Sequence, residues 1–344
     1  MLDGEGELAR QLSTPRSSGN FCLEMTDTMA QFQHWSKYWA SGALTSLPED
    51  FRENYDGEVA EFWRSQFNTL LPASTIVDLC CGNGAIALLA ARHARQAATA
   101  WQITAVDAAD LPAAQLKARW PSYGAELQSI HFLGGTPIEQ LPLLPSTVDL
   151  ACSQFGLEYC DLAAAGLAIH RVLKPNGRLA LVSHEPNSDV FSTMNAEAKD
   201  YLRLHETGLI ELLGRWAAGE VIHADLSSRL TACRKRLTSG SSGRPTALIS
   251  QVLEVLAQLA AMPTATLRAQ AANAGVYRDQ LVSAERRMQD LLRVLQSMAD
   301  TEDWTQPLNA AGLDLVSSDR LYYRGRHLIG TARVFVRSSQ RGSD

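Results

Sequence analysis

The feature that most constrains the fold is an alternation of two periodicities between Thr75 and Ser183. Short runs rich in β-branched and apolar residues, typical of buried strands, occur at 75–79, 102–106, 130–133, 147–152 and 178–183. Segments with helical composition lie between them, at 85–95, 111–120 and 162–173. Strands alternating with helices indicate right-handed βαβ units and a parallel sheet covered on both faces. We therefore expect a doubly wound α/β fold.

The alternation stops at Ser188, and the chain up to Asp303 shows helical spacing instead. Two apolar stripes recur at three- and four-residue intervals, as on one face of a helix. They are Ile249, Val252, Leu253, Leu256 and Leu259, and then Leu281, Met288, Leu291, Leu292, Leu295 and Met298. Strand character returns at 313–316 and 327–336. The pattern predicts a helical insertion at 188–303 followed by a last pair of strands.

The segments before the alternation differ from it in composition. Residues 1–27 are rich in Gly, Ser and charge early on, which is typical of a flexible leader. Residues 28–70 carry many aromatic side chains, and five residues between Phe62 and Leu70 share a helical face. We interpret 28–70 as a helical cap that either packs on the core or covers a ligand. The core itself is predicted at 71–187 and 304–338.

Composition narrows the class of protein. The 344 residues carry a formal net charge of −6, which disfavours a protein that binds nucleic-acid phosphates. No apolar run approaches the roughly 20 residues of a membrane span, and the N-terminus lacks the apolar stretch of a secretory signal. The six cysteines form no C-x-x-C pair, so we expect no metal site of that spacing and reduced thiols in a cytoplasmic protein.

The most informative motif is the run from Asp78 to Gly84, which follows the first predicted strand and reads D-L-C-C-G-N-G. Gly82 and Gly84 permit a tight turn in which a ligand can approach bare backbone. The next helix would direct its N-terminal amides at that ligand. Asp107 ends the second strand, where a carboxylate can accept both hydroxyls of a ribose. Together these features predict a nucleoside site at the carboxyl edge of the sheet.

Two cofactors fit this turn. Gly82, Gly84 and Ala87 match the relaxed G-x-G-x-x-A dinucleotide pattern, and Asp107 lies near the expected distance. Asp78, however, lies four positions before Gly82, where it would repel a pyrophosphate. A ligand with a cationic amino group and a sulfonium tolerates that carboxylate. The charge pattern therefore favours S-adenosylmethionine over NAD.

These residues resemble the class I S-adenosylmethionine-dependent methyltransferases. The run 78–84 is similar to the first motif of that family and 105–107 to its acidic second motif. The segment 148–157, which contains Phe-Gly-Leu, resembles the quinone-biosynthesis branch, and 171–179 is similar to the "L-K-P-G-G" turn before strand five. The resemblance implies a mostly parallel seven-stranded sheet with an antiparallel C-terminal strand.

The resemblance also implies a set of cofactor-binding positions. Backbone at Cys80 and Gly82 would line the methionine part, Asp107 would bind the ribose and Ala108 would lie against the adenine. The full set is Asp78, Cys80, Gly82, Gly84, Asp107, Ala108, Ile138, Gln154 and Phe155, of which the last two would face the methyl-transfer end. One family feature is missing, because Pro137 stands where many relatives place an Asp that binds the adenine amino group. Backbone at Ile138 or the Thr136 hydroxyl would substitute.

Candidate catalytic residues follow the fourth and fifth strands. His184 ends the fifth strand at the edge where an acceptor should lie, so it is a candidate general base, because histidine titrates near neutral pH. Hydrogen bonding to loop backbone is the alternative for this residue. Glu158 and Tyr159 follow the fourth strand and either touch the acceptor or begin a helix.

The predicted activity is methyl transfer from S-adenosylmethionine to a small organic acceptor, with S-adenosylhomocysteine as the product. The aromatic cap and the apolar insertion indicate an acceptor with an apolar body. The alternatives are a protein acceptor and a cofactor-binding module without catalysis. We expect the insertion to act as a lid and as the contact of a homodimer, since its two apolar stripes need partners.

Overall fold

The computed structural model describes residues 31–47, 51, 53–239 and 245–338. They form one seven-stranded sheet of order β3-β2-β1-β4-β5-β7-β6. The strands are β1 Thr75–Leu79, β2 Gln102–Val106, β3 Ile130–Leu133, β4 Val148–Gln154, β5 Leu173–Ser183, β6 Leu313–Tyr323 and β7 His327–Arg337. All neighbouring pairs from β3 to β5 are parallel, whereas β7 is antiparallel to both β5 and β6. The predicted doubly wound sheet with one reversed C-terminal strand is confirmed.

Helices cover both faces of the sheet and form the layer above its edge. Before the insertion they are α1 Gln33–Ala40, α2 Gly57–Phe67, α3 Ala85–Gln96, α4 Ala113–Arg119, α5 Gly124–Gln128 and α6 Leu162–Val172. Those of the insertion are α7 Asp189–Glu206, α8 Leu209–Ala217, α9 His223–Ser239, α10 Ala247–Ala260, α11 Thr264–Ala269 and α12 Ala271–Ala299. A last short helix, α13 Gln306–Ala310, precedes β6.

Two strands differ in length from the sequence prediction. β5 begins at Leu173 rather than Arg178, because the predicted turn at 174–177 is an irregularity inside the strand, where its register against β4 shifts. β6 extends to Tyr323 rather than ending at Val316. It is the edge strand, and most of its side chains from 314 to 322 are exposed or half-buried, so no apolar alternation marks its second half.

The described part of the insertion has a hydrophobic core of its own. Leu209, Leu213 and Trp216 of α8 are buried against α12, the 29-residue helix that carries the second apolar stripe. Ile249, Val252 and Leu256 of the first stripe are buried in the same cluster. Both stripes therefore have partners within the insertion or next to it.

The N-terminal helices connect the two layers. α2 packs on α3 and buries Val59, Trp63 and Phe67 in the main core, as the aromatic spacing predicted. α1 lies against α12 of the insertion. The predicted leader at 1–27 lies outside the described residues. Within the described ranges, no helix is long and apolar enough to cross a membrane.

Candidate functional site

The strand order reverses between β1 and β4, which opens a crevice at the carboxyl ends of these strands. The turn from β1 into α3 borders this crevice. Cys80, Gly82 and Gly84 all have positive φ, of 53°, 52° and 78°. A Cβ on Gly82 would lie 2.4 Å from the ring of Trp39 in α1. A bare backbone at this position therefore permits both the turn and the close approach of the cap.

Gly84 follows the turn at Gly82 and has a φ of 78°. It begins α3, and a Cβ there would lie 2.8 Å from the ring of Phe132 in β3. The structure thus places Gly84 where the helix starts against the sheet, next to the turn at Gly82.

Asp107 lies at the tip of β2, as predicted. Its carboxylate accepts hydrogen bonds from the backbone amide of Gly82 at 2.7 Å and from that of Ala109 at 2.8 Å. Burial raises the pKa of Asp107 to about 6, against the opposite effect of these two amides. One carboxylate thus ties the β1 turn to the β2 loop.

Asp78 places a buried carboxyl group at the site that lacks a full set of hydrogen-bond partners. The side chain is 1% exposed, and one carboxylate oxygen accepts the Ala87 amide at 2.9 Å. The other oxygen, Oδ1, has no hydrogen-bond partner among the described residues. Burial raises the pKa of Asp78 to about 8, and the nearby Asp107 adds to this shift.

Two further polar groups lie around Asp78 without partners. Thr45, Asp78 and Gln154 line one small cavity, and both the Thr45 hydroxyl and the Gln154 Nε2 lack a partner among the described residues. The Trp63 indole donates to Gln154 Oε1 at 2.7 Å, so the amide nitrogen of Gln154 is the group left over. A buried polar group without a partner is costly, and a polar ligand would relieve that cost.

A second cavity adjoins the first and is lined by five of the predicted cofactor residues. They are Cys80, Asp107, Ala108, Ile138 and Phe155. Trp35 and Trp39 of α1 form its opposite wall, together with Tyr159. The Thr136 hydroxyl donates to the Gly134 carbonyl instead, so of the two substitutes for the missing Asp only Ile138 is at this cavity.

These residues fit S-adenosylmethionine. The unpartnered Asp78 oxygen and Thr45 hydroxyl are suitable acceptors for the ammonium group, and the Gln154 amide is a donor for the carboxylate. Asp107 and Ala108 line the second cavity, where a ribose and an adenine would follow the methionine part. Among the described residues no cluster of His, Cys, Asp or Glu could hold a metal ion.

The predicted catalytic residues come together beside this cavity. His184 Nδ1 lies 2.7 Å from Glu158 Oε1, which also accepts the His184 amide at 2.9 Å. A carboxylate only accepts, so the proton of a neutral ring is on Nδ1 and Nε2 keeps its lone pair. Burial raises the pKa of Tyr159 well above its ordinary value, so its hydroxyl stays protonated. Glu158 therefore orients His184, which is the better candidate base.

A third cavity, of about 520 Å³, lies between this sheet edge and the insertion. Phe155, Tyr159 and His184 line it on the sheet side, and Tyr38, Arg287 and Met288 on the side of the cap and α12. The sequence analysis did not single out Trp35, Trp39, Thr45 or Arg287. For Trp35, Trp39 and Thr45 the only signal was the density of aromatic residues at 28–70, which indicated a cap without showing which side chains reach the ligand.

The cap is fastened to the insertion. His34 Nε2 lies 2.6 Å from Asp290 Oδ2, and the Trp35 indole donates to the same oxygen at 3.2 Å. His34 and Asp290 are separated by 256 positions in the chain. One carboxylate of α12 thus holds the helix whose tryptophans line the cofactor cavity.

The fold, the glycine turn and the acidic residue after β2 define the class I methyltransferases, which use S-adenosylmethionine. Residues 77–181 match the family model described as a methyltransferase domain. This part of the chain is therefore a methyltransferase domain, and the resemblance of its motifs to that class is confirmed.

Two curated relatives match parts of the chain. One is 2-phytyl-1,4-naphtoquinone methyltransferase of Nostoc sp. (strain PCC 7120), which is 32% identical over 124 residues. That match covers 36% of this chain and 52% of the relative, so the chain spans about half the length of this relative. Malonyl-[acyl-carrier protein] O-methyltransferase of Dechloromonas aromatica is 45% identical over 49 residues, which are 14% of this chain and 19% of that protein.

Among solved structures, the chain is similar to a putative S-adenosyl-L-methionine-dependent methyltransferase of Methanococcus maripaludis. The match has a TM-score of 0.42 at 12% identity and covers 96% of this chain and 100% of that one.

Proposed function

We propose that this chain transfers a methyl group from S-adenosylmethionine to a small organic acceptor, with S-adenosylhomocysteine as the product. The observation that carries the proposal is the set of unpartnered polar groups at Asp78, Thr45 and Gln154, next to the predicted ribose position at Asp107. They suit the two ends of an amino acid attached to a nucleoside. The cofactor positions listed from the sequence remain part of this proposal.

The cofactor supplies a methyl group activated by a sulfonium, so the protein mainly aligns the acceptor and removes its proton. The cavity at His184 suits this task. An acceptor hydroxyl, amine or acidic carbon placed there would give its proton to Nε2 as its bond to the methyl carbon forms, while the bond from carbon to sulfur breaks. Glu158 stabilises the resulting imidazolium.

An apolar acceptor is consistent with the walls of that cavity and with the name of one relative. Met194, Met288, Leu291, Leu328 and Ile329 line it. The phytyl-naphthoquinone methyltransferase acts, by its name, on a molecule with a long apolar chain. We also propose a cytoplasmic location, because the five described cysteines are all free thiols and Cys80 Sγ lies 3.6 Å from Cys160 Sγ without a bond.

Transfer can be tested with a cofactor carrying a trideuterated methyl group. The protein is incubated with fractions of a small-molecule extract, and mass spectrometry follows the label. We expect label in a small molecule and formation of S-adenosylhomocysteine. Label in protein would support the alternative of a protein acceptor, and cofactor binding without turnover in any fraction would support a module without catalysis.

The role of His184 has a sharper test once an acceptor is known. His184→Ala should lower kcat by about 10²–10⁴-fold, the usual contribution of general acid–base catalysis, and leave the cofactor Kd within about twofold. Glu158→Gln should lower kcat less than His184→Ala does. It should also change the pH profile of kcat, since Glu158 acts through His184. An unchanged kcat in a folded His184→Ala variant would exclude the base role.

A homodimer and the absence of nucleic-acid binding also remain proposals. Several residues of both apolar stripes are buried in the core of the insertion, and we propose that the outer faces of the same helices carry the dimer contact. The net charge of −6 supports the absence of nucleic acid. Light scattering and a shift assay with random-sequence DNA and RNA test the two expectations directly.

A further inference from the structure

The cavity beside His184 continues to a cationic side chain of the insertion. Arg287 of α12 lines both the 520 Å³ cavity and a neighbouring one of about 790 Å³. Tyr38 and Met194 are also common to the two. A single ligand of moderate length can therefore have one end at His184 and another at Arg287.

Arg287 differs from Arg203 and Arg293, two other arginines of the insertion, in its partners. Arg203 lies 3.2 Å from Asp200 and Arg293 lies 3.0 Å from Asp290. No carboxylate of the described residues lies within 4.0 Å of the Arg287 guanidinium, although Glu197 lines the same cavities. The guanidinium instead lies 4.4 Å from the centre of the Tyr38 ring.

Stacking on a ring leaves the in-plane N–H donors of a guanidinium available. A partly buried guanidinium whose donors lack an anion is unfavourable, and the group matches carboxylate and phosphate in a bidentate geometry. The Tyr38 ring helps to hold the guanidinium at the cavity, since a cation over an aromatic face is attracted by the ring. Arg324 also lines this cavity, and so does Glu197, whose charge partly offsets the lowering of the Arg287 pKa by burial.

We propose that the ligand of this cavity carries a carboxylate or phosphate that binds Arg287, on an apolar body that reaches the methyl-transfer end at His184. This inference rests on the proposed function for the identity of the ligand as the methyl acceptor. The anion site itself is independent of catalysis, since it lies on the insertion and outside the methyltransferase domain at 77–181.

A matched pair of fluorescent probes tests the site without a known acceptor. 8-Anilinonaphthalene-1-sulfonate is an anionic aromatic compound, and N-phenyl-1-naphthylamine has the same rings without the sulfonate. Both are titrated into the full-length protein saturated with S-adenosylhomocysteine. Arg287→Met should weaken binding of the anionic probe at least tenfold and that of the neutral probe less than twofold. Arg287→Lys should retain an intermediate affinity, because it keeps the charge but loses the planar fork.

Arg286→Met provides the matched control, because Arg286 is the exposed neighbour on the same helix and lines neither cavity. It should leave both affinities unchanged. Equal weakening of the two probes in Arg287→Met, or no weakening of either, would overturn the proposal. Displacement of the anionic probe by decanoate or by decyl phosphate then distinguishes a carboxylate from a phosphate ligand, and displacement by neither would also count against the site.

The outcome does not depend on turnover. Binding of S-adenosylhomocysteine is measured by calorimetry in the same samples. If the cofactor product binds and the anion site fails, the proposed function stands and the inference about its acceptor is wrong. If no cofactor product binds while Arg287 still selects the anionic probe, the proposed function fails and the anion site stands.

Discussion

The contacts at the sheet edge and those in the helical layer above it differ greatly in sequence separation. At the sheet edge, Asp78 accepts a hydrogen bond from a backbone amide nine residues away. Asp107 accepts one from an amide that is 25 residues away. In the upper layer, His34 contacts Asp290 across 256 positions. The first region follows from strand ends and glycine turns, whereas the second exists only after helices from both ends of the chain have packed together.

The two regions also differ in their proposed tasks. The sheet edge presents fixed carboxylates and bare backbone, which suit a cofactor of constant shape. The cap and the insertion present a large cavity with an arginine and aromatic walls, which suit an acceptor. Variants in the two regions should therefore affect different steps.

Gly82→Val should have the largest effect. The new side chain would meet the Trp39 ring, and a branched residue at φ 52° is strained by about 1–2 kcal/mol before any clash. We expect displacement of α1 and loss of measurable cofactor binding by calorimetry. Gly219→Val is the control, because Gly219 has φ 76° but nothing within 4 Å of its would-be Cβ. Normal cofactor binding by Gly82→Val would contradict our description of this turn.

Asp78→Asn should raise stability at alkaline pH and lower the affinity for the cofactor. The folded pKa of Asp78, about 8, lies above its ordinary value of 3.8, so its contribution to stability is present at acidic pH and is lost as pH rises towards 8. We expect the variant without cofactor to be more stable than the wild type at pH 8–9, by about 1–3 kcal/mol in denaturant titrations. Its affinity for S-adenosylmethionine should fall, because the ammonium group loses its anion.

Proton release provides a second measurement on the same residue. Binding of the ammonium group at pH 7 should drive a proton off Asp78. Calorimetry in two buffers of different ionisation enthalpy should then report proton release for the wild type and less for Asp78→Asn. A stability of Asp78→Asn below that of the wild type at pH 9 would contradict the assignment of an unpartnered buried carboxylate.

His34→Ala should have the smallest effect. The pair with Asp290 is partly buried, and its loss should lower the free energy of unfolding by about 1 kcal/mol and raise the acceptor KM more than the cofactor Kd. Lys37→Met is the control, because its contact with Asp279 is 3.9 Å long and exposed and should contribute little. Identical effects of the two variants would show that His34 does not fasten the cap.

The difference in contact range explains what the sequence could reveal. The ends of β1, β2 and β3 were predicted to the residue, since β-branched runs and glycine turns are local signals. Asp107 and His184 could be placed at the sheet edge because parallel strands end on one side. Arg287 could not be found, because nothing near it in the chain shows that α12 faces Tyr38. The second half of β6 was missed for a different reason. It is an exposed edge strand, so its sequence carries no apolar pattern.

If the sheet edge holds the cofactor, the affinity for S-adenosylmethionine should depend on the Asp107 carboxylate. Asp110→Ala is the matched control, because Asp110 is an exposed carboxylate on the same loop. Calorimetry should show a loss of about 1.5–3 kcal/mol for Asp107→Ala, the range for hydrogen bonds to a charged group, and almost none for Asp110→Ala. Equal dissociation constants for the wild type and a folded Asp107→Ala variant would contradict the claim.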